Sequence, residues 1–194
     1  MRRRSPDETV RHKYFLRLHY REAVRGLSVT QRRAGARAMS RRVAGLSEFR
    51  SARVLGIFLS LPWEIDSKPL IAAARREGKT VAVPVVFPDQ RGLRFAVLRK
   101  GQARLKKNVY GILEPAQPEW VDAIDLLIVP GAAFTGQGDR LGAGAGYYDR
   151  FLERHSRLPS VGVGFDEQMA VRLPRGPHDQ RVGMVATPSR LYRH

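Results

Sequence analysis

The sequence predicts an α/β fold, and three observations lead there. From about residue 53 onward, short apolar runs alternate with helix-forming segments, the order of β-α-β units. One run, "DLLIVPGAAF", is apolar almost throughout, as a strand covered on both faces is. The first fifty or so residues contain no such run and space their apolar residues near the helical period, so two helices precede the sheet. Together these give a mostly parallel twisted sheet with helices on both faces, Rossmann-like in plan.

Taken in order, the first helix runs from about Asp7 to Arg25, with Val10, Tyr14, Leu18 and Ala23 recurring along it. "LSVTQ" starts the second: Ser28 followed three residues later by Gln31 is a capping box, and the helix reaches about Gly45. "RVLGIFLS" reads as a strand, Ser67 as the cap of the helix "KPLIAAARREG" ending at Gly78, and "TVAVPVV" as the next strand. "LRFAVLR" alternates like a partly exposed strand, "GYYDRFLERH" is helical, and "SVGVGF" and "GMVATP" are short strands. The proline-bearing stretches Pro84 to Pro88 and Pro115 to Pro118 read as loops. No repeat, low-complexity tract or linker divides the chain, so residues 1–194 form one domain in this reading.

Composition excludes several chemistries. Without cysteine there are no disulfides, thiolate ligands or cysteine nucleophiles, which suits a reducing compartment. No apolar run approaches the roughly 20 residues of a membrane span, and "MRRRSPDETV" leads into an amphipathic segment, not a signal-peptide core, so a cytoplasmic protein is expected. The 35 basic and 18 acidic residues leave a net charge of +17. That excess suits nucleic acid, a small polyanion such as a nucleotide, or a merely solvated surface. The arginine clusters at Arg2 to Arg4 and near Arg41 have no interleaved aromatics, which weighs against nucleic acid. The histidines show no paired ligand spacing, His178 with Asp179 reads as loop, and Ser156, Ser160 and Ser189 lack a nucleophile-elbow context.

The most distinctive stretch is "GDRLGAGAGYYDRFL", residues 138–152. It joins a buried strand to a helix, where free helix-start amides and the helix dipole attract anions. Gly142, Gly144 and Gly146 allow positive φ angles and close approach of a phosphate. Arg140 can present a fork of donors to phosphate oxygens, and Asp149 can hold a magnesium ion. The spacing is neither the P-loop nor the dinucleotide fingerprint, and it also suits a flexible turn before a core helix in which Tyr147 and Tyr148 simply pack.

"VPGAAFTGQGDRLGAGAGYYDRFL" resembles the signature of 5-formyltetrahydrofolate cyclo-ligases, also called 5,10-methenyltetrahydrofolate synthetases. The resemblance covers most of the chain: Lys13, Leu16 and Arg17 in the first helix, "IFLSLPWEID" with Glu64, "NVYGILEP" and "TPSRL" follow in the family's order. It implies ATP-dependent, magnesium-requiring closure of 5-formyltetrahydrofolate, with or without a polyglutamate tail, to 5,10-methenyltetrahydrofolate, ADP and phosphate, by a monomer. By resemblance, Lys13, Arg17, Arg140, Gly142, Ala143, Gly144, Ala145, Gly146, Tyr148 and Asp149 bind ATP, and Asp149 is the magnesium ligand. Leu59, Glu64, Tyr110 and Tyr147 bind folate, and Arg140 and Tyr147 serve catalysis. Without the resemblance, Lys13 and Arg17 read as a solvated helix face, Glu64 as a loop carboxylate and Tyr110 as a half-buried ring.

Two departures stand out. Ala143 and Ala145 occupy positions where many members carry basic side chains, and Gly183 stands where some carry a magnesium-associated aspartate. They are the best support for a paralogue of this fold acting on another substrate; a basic nucleic-acid-binding protein is the third reading. On sequence grounds, Arg140→Ala and Asp149→Ala should impair turnover far more than folding.

Overall fold

The computed structural model describes residues 6–99, 101 and 105–194, so the Arg2 to Arg4 cluster lies outside the described residues. Two helices open it, α1 (Pro6–Arg25) and α2 (Val29–Ala44). The capping box forms as read: Ser28 Oγ accepts from the Gln31 amide at 3.2 Å, and Gln31 Oε1 accepts from the Ser28 amide at 2.9 Å. A short helix α3 (Ser47–Ser51) follows, which the sequence reading does not contain; it seats Phe49 in the core.

The remaining elements are β1 (Val54–Gly56), α4 (Lys68–Arg76), β2 (Thr80–Phe87), β3 (Gly92–Val97), β4 (Leu105–Lys107), β5 (Leu113–Pro115), β6 (Leu126–Val129), β7 (Ala133–Phe134), β8 (Arg140–Leu141), α5 (Tyr147–Arg154), β9 (Ser160–Val163), β10 (Met184–Ala186) and β11 (Leu191–Arg193). Seven strands form the main sheet in the order β11-β10-β9-β6-β1-β2-β3. Its central pairings are parallel, and β3 and β11 close the two edges antiparallel. Helices cover both faces, as expected. Leu126 and Ile128 of β6 share a core with residues of α2 and α4, while Leu127 and Val129 share one with Leu152 of α5. All four are fully buried, which is why that run does not alternate.

Several sequence expectations need correction. "DLLIVPGAAF" is not one strand: β6 ends at Val129, the chain turns through Pro130 and Gly131, and Ala133–Phe134 pairs antiparallel with Arg140–Leu141. The strand read from "RVLGIFLS" contracts to three residues. Ser67 is the N-cap of α4, its carbonyl accepting from the Ile71 amide at 3.0 Å, but its buried Oγ has no partner among the described residues, and Asp66 Oδ1 accepts from the Lys68 amide at 3.0 Å. Pro84 and Pro115 lie within β2 and β5. Pro84 is tolerated because β1 pairs with β2 only as far as Ala82, so beyond it one side of β2 needs no ladder donor. On α1, Val10, Tyr14 and Leu18 are exposed, whereas Val24 is buried and Leu16 and Tyr20 pack against Ala132, Ala133 and Leu141.

The chain runs from β1 outward to β3 on one side of the sheet, then returns to β6 and runs outward to β11 on the other. The reversal point lies between β1 and β6, and the segments leaving their carboxyl ends diverge there to leave a crevice.

Candidate active site

The strand-to-helix loop is shaped by arginines. A Cβ on Gly142 would come within 2.6 Å of Arg140 Nη1, and one on Gly146 within 2.7 Å of Arg150 Nη1. Gly144 and Gly146 have φ of 119° and 69°, the region that favours glycine, whereas Gly142 does not. The second and third glycines are therefore favoured by their backbone, while beside the first and third an arginine guanidinium occupies the space a Cβ would take. Gly146 precedes α5 without any side-chain cap, which leaves helix-start amides free for a ligand.

Arg140 and Asp149 form the wall behind this loop. Arg140 Nη2 donates to Asp149 Oδ1 at 2.7 Å, with the two side chains 3% and 16% exposed. Asp149 Oδ1 also accepts from the Gln180 amide at 3.3 Å. Arg140 Nη1 donates to the Pro130 carbonyl at 3.4 Å, and its guanidinium lies 5.8 Å from the centre of the Tyr148 ring.

On one side of the wall is a cationic cleft of about 520 Å³. Lys13 and Arg17 reach it from α1, Arg91 from the β2–β3 turn, Arg150 from α5, and His178 and Asp179 from the loop before β10. Arg17 Nε donates to the Gly142 carbonyl at 2.8 Å, and burial together with neighbouring Arg21 pushes its pKa down. Lys13 donates to Asp179 Oδ2, which also accepts from the Gly176 amide at 2.7 Å. Arg150 ties the loop to the β2–β3 turn: Nη2 donates to the Ala145 carbonyl at 2.8 Å and Nε to the Arg91 carbonyl at 2.7 Å.

On the other side is an apolar cavity of about 450 Å³ at the β1/β6 crevice, lined by Phe58, Leu59, Trp63, Tyr110, Tyr147 and Tyr148 among others, with Glu64 on its wall. Glu64 Oε2 accepts from the Leu61 amide at 2.8 Å. Burial nonetheless pushes its carboxyl up to about 7, opposed by that bond and by Arg21. Tyr110 and Tyr147 share a hydrogen bond of 2.9 Å between their hydroxyls and meet edge to face at 5.8 Å. Burial and then the bond to Tyr110 raise the Tyr147 pKa. Tyr148 Oη is buried without a hydrogen-bond partner among the described residues, and burial followed by the nearby Glu64 charge pushes its phenol far up. Arg140, Gly142, Gly146 and Asp149 line both spaces.

A sequence model of the 5-formyltetrahydrofolate cyclo-ligase family matches residues 9–188. The chain belongs to the 5-formyltetrahydrofolate cyclo-ligase family. The Escherichia coli K12 5-formyltetrahydrofolate cyclo-ligase is 35% identical over 147 residues, covering 73% of this chain and 81% of its own. The mouse 5-formyltetrahydrofolate cyclo-ligase is 26% identical over 183 residues, 88% of this chain and 90% of its own. Among solved structures, the Aquifex aeolicus 5,10-methenyltetrahydrofolate synthetase superposes with a TM-score of 0.80 at 31% identity, over 93% of this chain and 92% of that one.

The residues that resemblance to the cyclo-ligase family singles out thus fall around two adjoining spaces. Lys13, Arg17 and Gly144 line the cationic cleft, while Leu59, Glu64, Tyr110, Tyr147, Ala143 and Ala145 line the apolar cavity. Tyr148, assigned to ATP by the sequence, lies on the apolar side, and Gly183 lines neither space; its amide donates to Ser160 Oγ at 3.1 Å. The sequence reading missed Asp179 and His178 in the cleft, because α1 and the loop before β10 meet only through the fold. It also missed Gln168, a buried side chain whose Nε2 donates to the carbonyls of Gly131 and Ala132 at 2.9 and 3.0 Å and so fixes the turn beneath Arg140. "TPSRL" is a structural turn: Arg42 donates to the carbonyls of Thr187, Pro188 and Ser189.

Proposed function

We propose that this chain, acting as one domain over 1–194 and as a monomer, closes 5-formyltetrahydrofolate to 5,10-methenyltetrahydrofolate at the expense of ATP. The observation that carries this reading is the shared wall: an anion-binding cleft and an aromatic cavity meet at Arg140, Gly142, Gly146 and Asp149. The polyphosphate lies in the cationic cleft, on Lys13, Arg17, the loop 142–146 and the free amides of α5. The pterin lies against Tyr110, Tyr147 and Leu59, with its aminopyrimidinone edge donating to the ionised Glu64 carboxylate.

The chemistry follows from a poor leaving group. The formyl oxygen attacks the terminal phosphorus and ADP departs; N10 then attacks the activated formyl carbon, losing its proton, and phosphate leaves with the former formyl oxygen. Such transfers depend on positioning and neutralisation of charge. Arg140 lies where charge passes between the spaces, and Tyr147 packs beside the reacting end of the folate. The apolar wall excludes water that would otherwise hydrolyse the phosphorylated formyl group. Tyr148 Oη and Arg140 Nε, both buried and unpartnered among the described residues, are donors available to a bound ligand.

Magnesium fits this donor set. Among the described residues no cluster of three metal-ligating side chains exists, and both hydrogen bonds to Asp149 fall on Oδ1, leaving Oδ2 as a ligand atom. One carboxylate completed by phosphate oxygens is a usual magnesium arrangement, in which the ion neutralises polyphosphate charge. Absorbance-monitored formation of the methenyl product, with ATP and magnesium omitted in turn, tests the reading. Product only when both are present is expected; no product from folded protein overturns it in favour of a paralogue acting on another substrate.

A further inference from the structure

Lys13 and Arg17 reach the cationic cleft from α1, and one turn further along the same helix Arg21 reaches the apolar cavity instead. Like charges four residues apart destabilise a helix, so each of these cations needs a reason to be there. Lys13 has Asp179 as its partner, and Arg17 has the Gly142 carbonyl. Arg21 has neither kind of partner: no carboxylate of the described residues forms an ion pair with it, and its buried Nε lacks a hydrogen-bond acceptor among them.

The side chain is held in place all the same. Its guanidinium carbon lies 4.9 Å from the centre of the Trp63 ring, a cation–π contact on the cavity wall. Glu64 follows Trp63 in the chain and lines the same cavity, close enough for the Arg21 charge to favour its ionised form. The two are nevertheless not joined, and Glu64 Oε2 accepts from the Leu61 amide. An acceptor and a donor thus stand near one another on one cavity wall without being spent on each other.

We propose that Arg21 is a specificity residue of the cavity, donating to the 4-oxo oxygen of a pterin whose 2-amino and N3 hydrogens go to Glu64. The inference rests on the folate reading above and adds this third contact. A 2-amino-4-oxopyrimidine ring presents two donors and then an acceptor along one edge. An ionised carboxylate only accepts and a guanidinium only donates, so Glu64 and Arg21 together complement that edge in sign. A 4-amino group in place of the oxo oxygen sets an N–H donor against Arg21, and both donors are then left unpaired in an apolar space.

The test is calorimetric titration, without ATP, of 5-formyltetrahydrofolate and of its 4-amino-4-deoxy analogue into wild type, Arg21→Met and Arg21→Lys. Methionine keeps a flexible apolar stem against Trp63 and removes every donor. Work at pH 9 keeps Glu64, which titrates at about 7, ionised throughout. The ratio of the two affinities is read within each protein, so a change in folded fraction cancels. Wild type prefers the 4-oxo ligand. Arg21→Met weakens 4-oxo binding by about 10- to 100-fold, the value of a hydrogen bond from a charged donor, and does not weaken binding of the 4-amino analogue. Arg21→Lys, which keeps a charged donor, falls between. In turnover, Arg21→Met raises KM for 5-formyltetrahydrofolate and leaves KM for ATP unchanged. A ratio that Arg21→Met leaves unaltered, whether both affinities fall together or neither does, overturns the proposal and leaves the cyclo-ligase reading intact. Wild type that binds neither ligand overturns both.

Discussion

The two spaces that meet at Arg140 are built on opposite principles. The cationic cleft is assembled from segments far apart in the chain, α1, the β2–β3 turn, the start of α5 and the loop before β10, tied together by the Lys13–Asp179 ion pair and by guanidinium bonds to backbone carbonyls. The apolar cavity sits at the carboxyl ends of neighbouring strands β1 and β6, and packing shapes it, with one buried carboxyl set among aromatic rings. The cleft supplies charge neutralisation, which tolerates water; the cavity supplies exclusion of water, which tolerates little charge. The Arg140–Asp149 pair is the boundary at which the two environments meet.

That division predicts which substitutions act on one substrate and which on both. Asp149→Ala should have the largest effect, since it strands a guanidinium that is 3% exposed. Breaking a buried pair from one side costs about 3–5 kcal/mol, and losing an electrostatic group at the reacting centre costs roughly a hundredfold in turnover. Thermal unfolding and single-turnover rates should therefore fall together, in place of the selective loss of turnover that the sequence alone suggests. An unchanged melting temperature would show that the boundary pair is not structural.

Lys13→Ala and Arg17→Ala should each raise KM for ATP by about 10- to 100-fold, the value of a charge-assisted hydrogen bond, with KM for folate unchanged. Equal shifts in both KM values would erase the distinction between the regions. Glu64→Gln is the reverse case, expected to raise KM for folate about tenfold at pH 8 without altering that for ATP.

Glu64 also carries a pH signature. Its carboxyl titrates at about 7 in the fold against 4.5 as the ordinary value, so the folded state holds the proton more tightly. The stability this lends is fully present below pH 4.5 and is lost as pH rises through about 7, a fall of roughly 3 kcal/mol that Glu64→Gln should remove. Urea unfolding from pH 4.5 to 8 measures it. The same titration makes folate binding by wild type weaken below pH 7, where the carboxylate that accepts the pterin N–H groups is lost. Tyr110→Phe should be the mildest change, removing the 2.9 Å bond to Tyr147 and weakening folate binding by about 1 kcal/mol, less than tenfold.

The two regions also differ in how far the sequence discloses them. Local chemistry is readable: the Ser28–Gln31 cap, the doubly buried β6 and the glycine loop all declare themselves within a few residues. Apolar periodicity misleads on α1, because the face that packs carries Leu16 and Tyr20, Lys13 and Arg17 border the cleft beside Val10, and Tyr14 and Leu18 are exposed. Asp179 carries no signal at all in a sequence, since its partner Lys13 is 166 positions away. Arg140 is legible as a loop cation and not as half of a buried pair, because only the β7–β8 hairpin turns it inward.

The long reach of Lys13 to Asp179 bears on how the molecule comes into being on the ribosome. Synthesis lays down the sheet from β1 to β3 first and adds β6, β9, β10 and β11 afterwards, so the aromatic cavity gains its walls while the chain is still growing. The cationic cleft comes later, for it needs both Lys13 of α1 and Asp179, 166 positions further along the chain. A growing chain therefore holds every lining residue of the aromatic cavity once Asp149 has been made, and completes the cationic cleft only when Asp179 joins Lys13.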